Sequence, residues 1–140
     1  MNVLVTAGNT RAPLDRVRCV TNVFSGRTGA RIAARALDRG HRVTLLTSHP
    51  EVLDDIPATR PRAAPEWRVA PYRTFDDLAA LMAAEVAGGG YDAVVHAAAV
   101  SDYLVAGVFA RAGDDLVDVT AGKVRSSHDE LWVRMTPAPK

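Results

Sequence analysis

Glycines and one interior lysine carry the chemical signals in this chain. Val3-Leu4-Val5 reads as a buried strand running into the glycine turn Thr6-Ala7-Gly8-Asn9-Thr10-Arg11. Further on, Ser25-Gly26-Arg27-Thr28-Gly29 opens a helical pattern. Glycine lets a backbone approach a phosphate closely, and the N–H groups at a helix start point toward negative charge. Together the two signals predict a cradle for a polyanion. Positive charge is written as arginine fifteen times and as lysine only twice, at Lys123 and Lys140. Codon bias in an Ala- and Arg-rich genome accounts for the ratio as a whole. Against that background Lys123 is a candidate for a task that needs a compact, mobile ammonium rather than a guanidinium.

The elements that must position these residues read β-α-β-loop-β-α-β, then an irregular segment and a hairpin. A helix is predicted over 27–39, with Gly29, Ile32, Ala33, Ala36 and Leu37 on one face and Gly40 as its stop. A strand follows over 42–47, and the proline-rich, aperiodic stretch 48–65 is expected to be a surface loop. A third strand is predicted over 67–72. Thr74 is expected to cap a second helix, with Phe75, Leu78, Ala79, Leu81, Met82 and Val86 as its apolar side and Gly88-Gly89-Gly90 as its end. The continuous apolar run over 92–99 predicts a fourth, fully buried strand. Extended segments are expected over 117–124 and 130–135, around a polar turn at 126–129.

Strands separated by helices of this length imply parallel pairing. The fold class expected is α/β: a three-layer, Rossmann-like, doubly wound, mostly parallel sheet with a C-terminal extended hairpin. Ligands bind such sheets beyond the carboxyl ends of the strands, where Gly8 to Arg11, Ser48-His49 and Ser101-Asp102-Tyr103 are expected to converge. The chain closes on Thr136-Pro137-Ala138-Pro139-Lys140 without a final helix. That points to a fold that is incomplete or finished by a partner chain.

Composition bounds the remaining function classes. A length of 140 residues with 48% hydrophobic and 24% charged residues fits one globular domain over 1–140. A net charge of +1 gives no support for a nucleic-acid or membrane-surface role. Cys19 is the only cysteine, so no internal disulfide or CxxC site is available, and it reads as a packing residue. No signal-peptide pattern and no apolar run of ~20 residues is present, so a cytoplasmic location is expected.

A nicotinamide reductase is the obvious guess for such a sheet, and the spacing argues against it. Gly8 stands alone, Gly26-x-x-Gly29 comes much later, and Thr47-Ser48-His49 occupies the place of the ribose-binding acid. A Tyr-x-x-x-Lys pair is also absent.

The residues instead resemble phosphopantothenoylcysteine synthetase, a CoA-pathway ligase often fused to a flavin decarboxylase. The matching blocks run from Val3 to Arg11, then Leu14-Asp15-Arg16-Val17-Arg18, Thr21-Asn22 and Ser25-Gly26. Ala97-Ala98-Ala99-Val100-Ser101-Asp102-Tyr103 and Gly122-Lys123-Val124-Arg125 continue the match over nearly the whole chain. The resemblance implies activation of the 4′-phosphopantothenate carboxylate by a nucleoside triphosphate, CTP or ATP, as an acyl-nucleotide. The amine of cysteine then displaces the nucleotide. It implies Mg²⁺ and a homodimer. The flavin half is not part of the match, so no flavin is expected.

Carried onto this sequence, the resemblance makes Asn22 and Lys123 the catalytic candidates. Gly8, Asn9, Thr10, Ser25, Gly26, Arg27, Ala98 and Asp102 become nucleotide- or phosphate-binding candidates, with Asp102 the one protein group for a metal. Arg18 and Asn22 become substrate contacts. Each has a plainer reading beside it: turn residues for Asn22 and Asp102, helix–sheet packing for Gly26 and Gly29, solvated charge for Lys123, Arg18 and Arg27. His49 and His96 read as non-catalytic, Asp54-Asp55 as solvated charge, Asp76-Asp77 as a helix first turn, and Trp67 and Trp132 as core anchors.

The sequence also departs from the family pattern. Gly-Gly-Thr is Gly8-Asn9-Thr10, Ser-Ser-Gly-Lys is Phe24-Ser25-Gly26-Arg27, and Asn-Pro-Asp is Thr136-Pro137-Ala138. The alternative function is therefore a diverged or truncated relative that holds a nucleotide or phosphorylated metabolite without ligating it.

Overall fold

Val3, Leu4 and Val5 become the centre of a sheet because the strands on both sides offer mostly apolar partners, Val43 and Leu45 on one and Ala93, Val94 and Val95 on the other. They lie in β1 (Asn2–Ala7), flanked by β4 (Arg42–Thr47) on one side and β6 (Ala93–His96) on the other. β5 (Trp67–Pro71) lies beyond β4, giving a four-stranded parallel sheet of order β5-β4-β1-β6. Alternation along β1 sends Val3, Val5 and Ala7 to the face covered by helix α1 (Arg27–Asp38), and Leu4 to the face covered by helix α2 (Phe75–Gly88). The three layers expected from the β-α-β order are present. The computed structural model describes residues 1–57 and 65–139, which fall into two compact units. This sheet and its helices belong to the first, Met1–Thr10 with Asn22–Val100.

Small side chains set the close fit of α1. Its buried face is Gly29, Ala30, Ala33, Ala34 and Leu37, and a Cβ on Gly29 would lie 2.7 Å from the Ala7 Cβ. Ile32, expected on this face, is exposed instead, beside a hollow of about 370 Å³ that Val3 and Val95 also line. At α2, Thr74 caps as expected. Its hydroxyl accepts the Asp77 N–H at 3.2 Å, and Asp77 Oδ2 accepts the Thr74 N–H at 2.9 Å. Leu78 is buried, whereas Ala79 and Val86 face outward.

Two further expectations are corrected. The fourth strand is shorter than 92–99 and is not fully buried. β6 pairs on one side only among the described residues, which leaves Val94 49% exposed. The stretch after β4 is not wholly irregular either: Pro50–Asp55 forms a 3-10 helix, and Val52, Leu53 and Ile56 join the core on the α1 side. The rest of the expected loop, residues 58–64, lies outside the described residues, as does Lys140.

The second unit comprises Arg11–Thr21 and Ser101–Lys140. β2 (Arg11–Pro13) and β3 (Cys19–Thr21) make a short antiparallel pair, and Cys19 is exposed rather than packed. Antiparallel strands expected near the C-terminus are present, but around a different centre. The segment read as irregular is β7 (Tyr103–Ala112), which pairs with both β8 (Asp115–Asp118) and β9 (Leu131–Pro137). Ala106 and Gly107 have low strand propensity, which Tyr103, Val105, Val108 and Phe109 around them and the pairing with β9 outweigh. Trp132 in β9 is 49% exposed, so it is no core anchor, whereas Trp67 packs against the core of the first unit. Among the described residues no helix is long and apolar enough to cross a membrane.

Candidate functional site

The carboxyl end of β1 is shaped by two glycines whose backbones touch. Gly8 has φ +93° and Gly26 has φ +74°, the left-handed region in which a side chain is strained. A Cβ on Gly26 would lie 2.6 Å from the Gly8 nitrogen. Gly26 is the residue at which α1 begins, and it accepts the Ala30 N–H at 3.0 Å. No side chain caps this helix start, and its first turn contains no acidic residue. A helix start of this kind presents unsatisfied N–H groups and partial positive charge to an anion.

Asn9 ties the turn together. Its side chain is almost entirely buried, and its Nδ2 donates to the Asn22 carbonyl at 2.6 Å. Ser48 Oγ accepts the Asn9 N–H at 2.8 Å and donates to Asn9 Oδ1 at 3.0 Å. His49 Nε2 lies 3.1 Å from the same oxygen, and His49 Nδ1 lies 2.8 Å from Glu51 Oε1. Asn9 therefore spends its amide on cross-linking the ends of β1 and β4 to the residue 22 segment. Asn22 Nδ2 in turn donates to the Ala99 carbonyl at 3.3 Å.

The 97–99 segment is held from below. Thr6 Oγ1 accepts the N–H groups of Ala97 and Ala98 at 3.1 and 3.2 Å and lies 2.7 Å from His96 Nδ1. The Ala99 N–H donates to the Gly8 carbonyl at 2.7 Å, and the Thr10 N–H donates to the Ala99 carbonyl at 3.2 Å. Tyr72, which sequence reasoning left out of the site, is buried and donates its hydroxyl to the Ala7 carbonyl at 2.7 Å. Burial pushes its phenol up to about 12.

The first unit thus brings together Gly8, Asn9, Thr10, Asn22, Gly26 and Ala98. Ser25 is exposed beside the helix start. Arg27 opens α1, but its guanidinium is paired with Asp55 at 2.7 Å, both side chains being at least half exposed. A surface pair like this is worth about 0–1 kcal/mol, so a phosphate can compete for Arg27. Tyr72 is the addition that sequence reasoning missed; Ser48, expected with His49 at this end of the sheet, is there and bonded to Asn9. The Thr47-Ser48-His49 run at the end of a strand was the available signal for Ser48, whereas Tyr72 carried none.

Arg18, Asp102 and Lys123 belong to the second unit. Lys123 is exposed and lines a hollow of about 380 Å³ with Arg125, Ser126 and Ser127. Arg18 is engaged: its Nη2 donates to Asp15 Oδ2 at 2.6 Å and to the Val124 carbonyl at 2.7 Å. The Arg18 guanidinium and the Val17 N–H hold the Asp15 carboxyl well below the usual carboxylate range. The Asp102 carbonyl accepts the Ala138 N–H at 2.8 Å. Among the described residues no group of three His, Cys, Asp or Glu could hold a metal ion.

Known proteins are similar to this chain in sequence and fold. The family model of the DNA/pantothenate metabolism flavoprotein C-terminal domain matches residues 1–112. The coenzyme A biosynthesis bifunctional protein CoaBC of Thermococcus kodakarensis is 37% identical over 118 residues, covering 82% of this chain and 27% of its own length. The protein of the same name from Mycolicibacterium smegmatis is 33% identical over 135 residues, covering 92% of this chain and 32% of its own. This chain thus spans about a third or less of those relatives. The crystal structure of the DNA/pantothenate metabolism flavoprotein from Streptococcus pneumoniae superposes with a TM-score of 0.77 at 26% identity, over 100% of this chain and 61% of that one. A Cab2 mutant in complex with phosphopantothenate-cysteine shares the fold, with a TM-score of 0.64 at 23% identity, over 99% of this chain and 57% of that one.

Proposed function

Because the chain belongs to the DNA/pantothenate metabolism flavoprotein C-terminal domain family, we propose that it is a nucleotide-dependent acid–amine ligase unit of coenzyme A biosynthesis. The observation that carries the reading is the uncapped, acid-free start of α1 packed on the Gly8 turn. That arrangement suits a triphosphate, and it asks for no flavin or nicotinamide.

In this reading the N–H groups at the start of α1 hold the triphosphate, CTP or ATP, with Arg27 exchanging Asp55 for phosphate oxygens. A carboxylate attacking an α-phosphate brings two anions together, so positive charge must be in place before the bond forms. Lys123 supplies it with a mobile ammonium. The 4′-phosphopantothenate carboxylate then forms an acyl-nucleotide and pyrophosphate leaves. Cysteine's amine attacks the acyl carbon and expels the nucleoside monophosphate. Asn22 orients the acyl group, and Arg18 adds fixed charge from its anchored position. Magnesium accompanies the triphosphate rather than a protein cage, and it neutralises charge on the phosphate oxygens. We further propose that the unit works as a homodimer.

A second reading is binding without ligation. It is favoured by Ala138, whose buried methyl stands where the family pattern has a carboxylate. Pyrophosphate release with CTP or ATP plus 4′-phosphopantothenate separates the two. The ligase reading expects release from the wild type and a fall of about a hundredfold or more in Lys123→Ala. Equal background release from both proteins leaves only the binding reading.

A further inference from the structure

The backbone on both sides of Lys123 is gripped by the residue 14–18 turn. On the N-terminal side, the Arg16 N–H and Nε donate to the Gly122 carbonyl at 2.9 and 3.1 Å. A Cβ on Gly122 would lie 3.0 Å from Arg16 Nε, so glycine permits that approach. On the C-terminal side, the Val124 N–H donates to Asp15 Oδ2 at 3.1 Å, and the Val124 carbonyl accepts Arg18 Nη2 at 2.7 Å. Val124 itself is buried.

Asp15 is the centre of this grip. Its side chain is fully shielded from solvent. One oxygen accepts the N–H groups of Val17 and Arg18, both at 2.8 Å. The other accepts Arg18 Nε and Nη2 as well as the Val124 N–H. A carboxylate can accept all five; an amide of the same shape cannot, because one of its two ends only donates.

We propose that Asp15 is a positioning residue for Lys123, fixing the root of that side chain so that its ammonium meets the nucleotide in one place. The proposal rests on the nucleotide reading above and deepens it. Fixing the flanking peptides pre-pays the ordering of the loop, and a displacement of about 1 Å at such a site can cost on the order of a hundredfold in rate. Arg16 and Gly122 hold the other flank. The four-carbon stem of Lys123 remains free to follow the phosphate.

The chain's two lysines make the test direct, since acylation of Lys123 can be measured by mass spectrometry against Lys140 in the same molecule. With CTP and magnesium as the probe, wild-type Lys123 should be protected from an amine-acylating reagent. In Asp15→Asn the protection of Lys123 at saturating CTP should weaken, its acylation rising about tenfold or more toward that of the nucleotide-free protein, with Lys140 labelling unchanged. Turnover should show a roughly tenfold lower kcat with the KM for CTP within about threefold, as expected when an interaction made mainly in the transition state is lost. If Asp15→Asn does not fold, Gly122→Ala disturbs the opposite flank and should give the same two signatures. Equal protection by CTP in wild type and variant overturns the proposal, as does an absence of protection in the wild type. Protection that weakens in the variant while the wild type releases no pyrophosphate sustains the clamp and refutes ligation.

Discussion

The Gly8 nitrogen occupies the space that any side chain on Gly26 would need, 2.6 Å from where its Cβ would sit. The same contact brings the start of α1 to the end of β1, so one feature serves packing and the proposed phosphate cradle together.

Gly26→Ala is therefore a folding variant as much as a binding variant. Left-handed backbone at a non-glycine residue costs roughly 1–2 kcal/mol, and overpacking adds about 1–3 kcal/mol. Thermal unfolding should show a Tm lower by several degrees, and an unchanged Tm would mean that the two backbones are not in contact. A larger residue here clashes with protein and not only with a bound phosphate.

Thr28→Glu separates the two roles. Thr28 is exposed in the first turn of α1, where no acidic residue stands. A carboxylate there should stabilise the helix by about 0.3–1 kcal/mol through the helix dipole, raising Tm slightly. It should also repel a triphosphate, weakening CTP binding by about tenfold or more in calorimetry. Stronger binding, or unaltered binding, contradicts a polyanion site at this helix start.

Tyr72 gives a pH signature. Its folded phenol is raised from 10.0 to about 12 by burial, so the protonated form is favoured by the fold. Its contribution is complete below pH 10 and is lost as pH rises toward about 12, where the unfolded chain would already have released the proton. Stability followed by chemical denaturation should fall across that window, and Tyr72→Phe should flatten the fall. At neutral pH the same variant should lose roughly 0.5–1.5 kcal/mol with its hydrogen bond to Ala7. A wild type whose stability is flat from pH 10 to 12 would show that the phenol is not held protonated by its surroundings.

What the sequence disclosed was what local pattern encodes. The apolar runs of β1 and β4, the Thr74 cap and the glycine-opened start of α1 each depend on neighbours within a few residues. The pairing of Gly8 with Gly26 was also legible, since two glycine signals bracketing one strand–helix step imply a close approach. The errors have physical causes. β7 interrupts its strand formers with three alanines and a glycine, and both of its partners come from other segments that no local pattern assigns to it. Ile32 follows the helical period, yet it stays part-exposed because the hollow it lines with Val3 and Val95 of the sheet is left open. The 50–55 helix is too short for periodicity to register.

The site divides in the same way. Asn9 was recognisable as a departure, but its partners Ser48 and His49 lie 39 and 40 residues away. Nothing local reveals that its amide is committed to them. Asp15 was visible only as one letter of a motif block. Its bond to the Val124 N–H spans 109 residues and depends entirely on tertiary structure.

The central claim is that the start of α1 and the Gly8 turn receive a triphosphate. Titrating ¹⁵N-labelled protein with CTP and magnesium reads it directly, through the amide signals of Gly8, Arg27, Thr28 and Gly29. These four should shift together and saturate along one binding curve, with inorganic phosphate giving a weaker version of the same pattern. Saturable CTP binding that leaves all four amides in place would contradict the account.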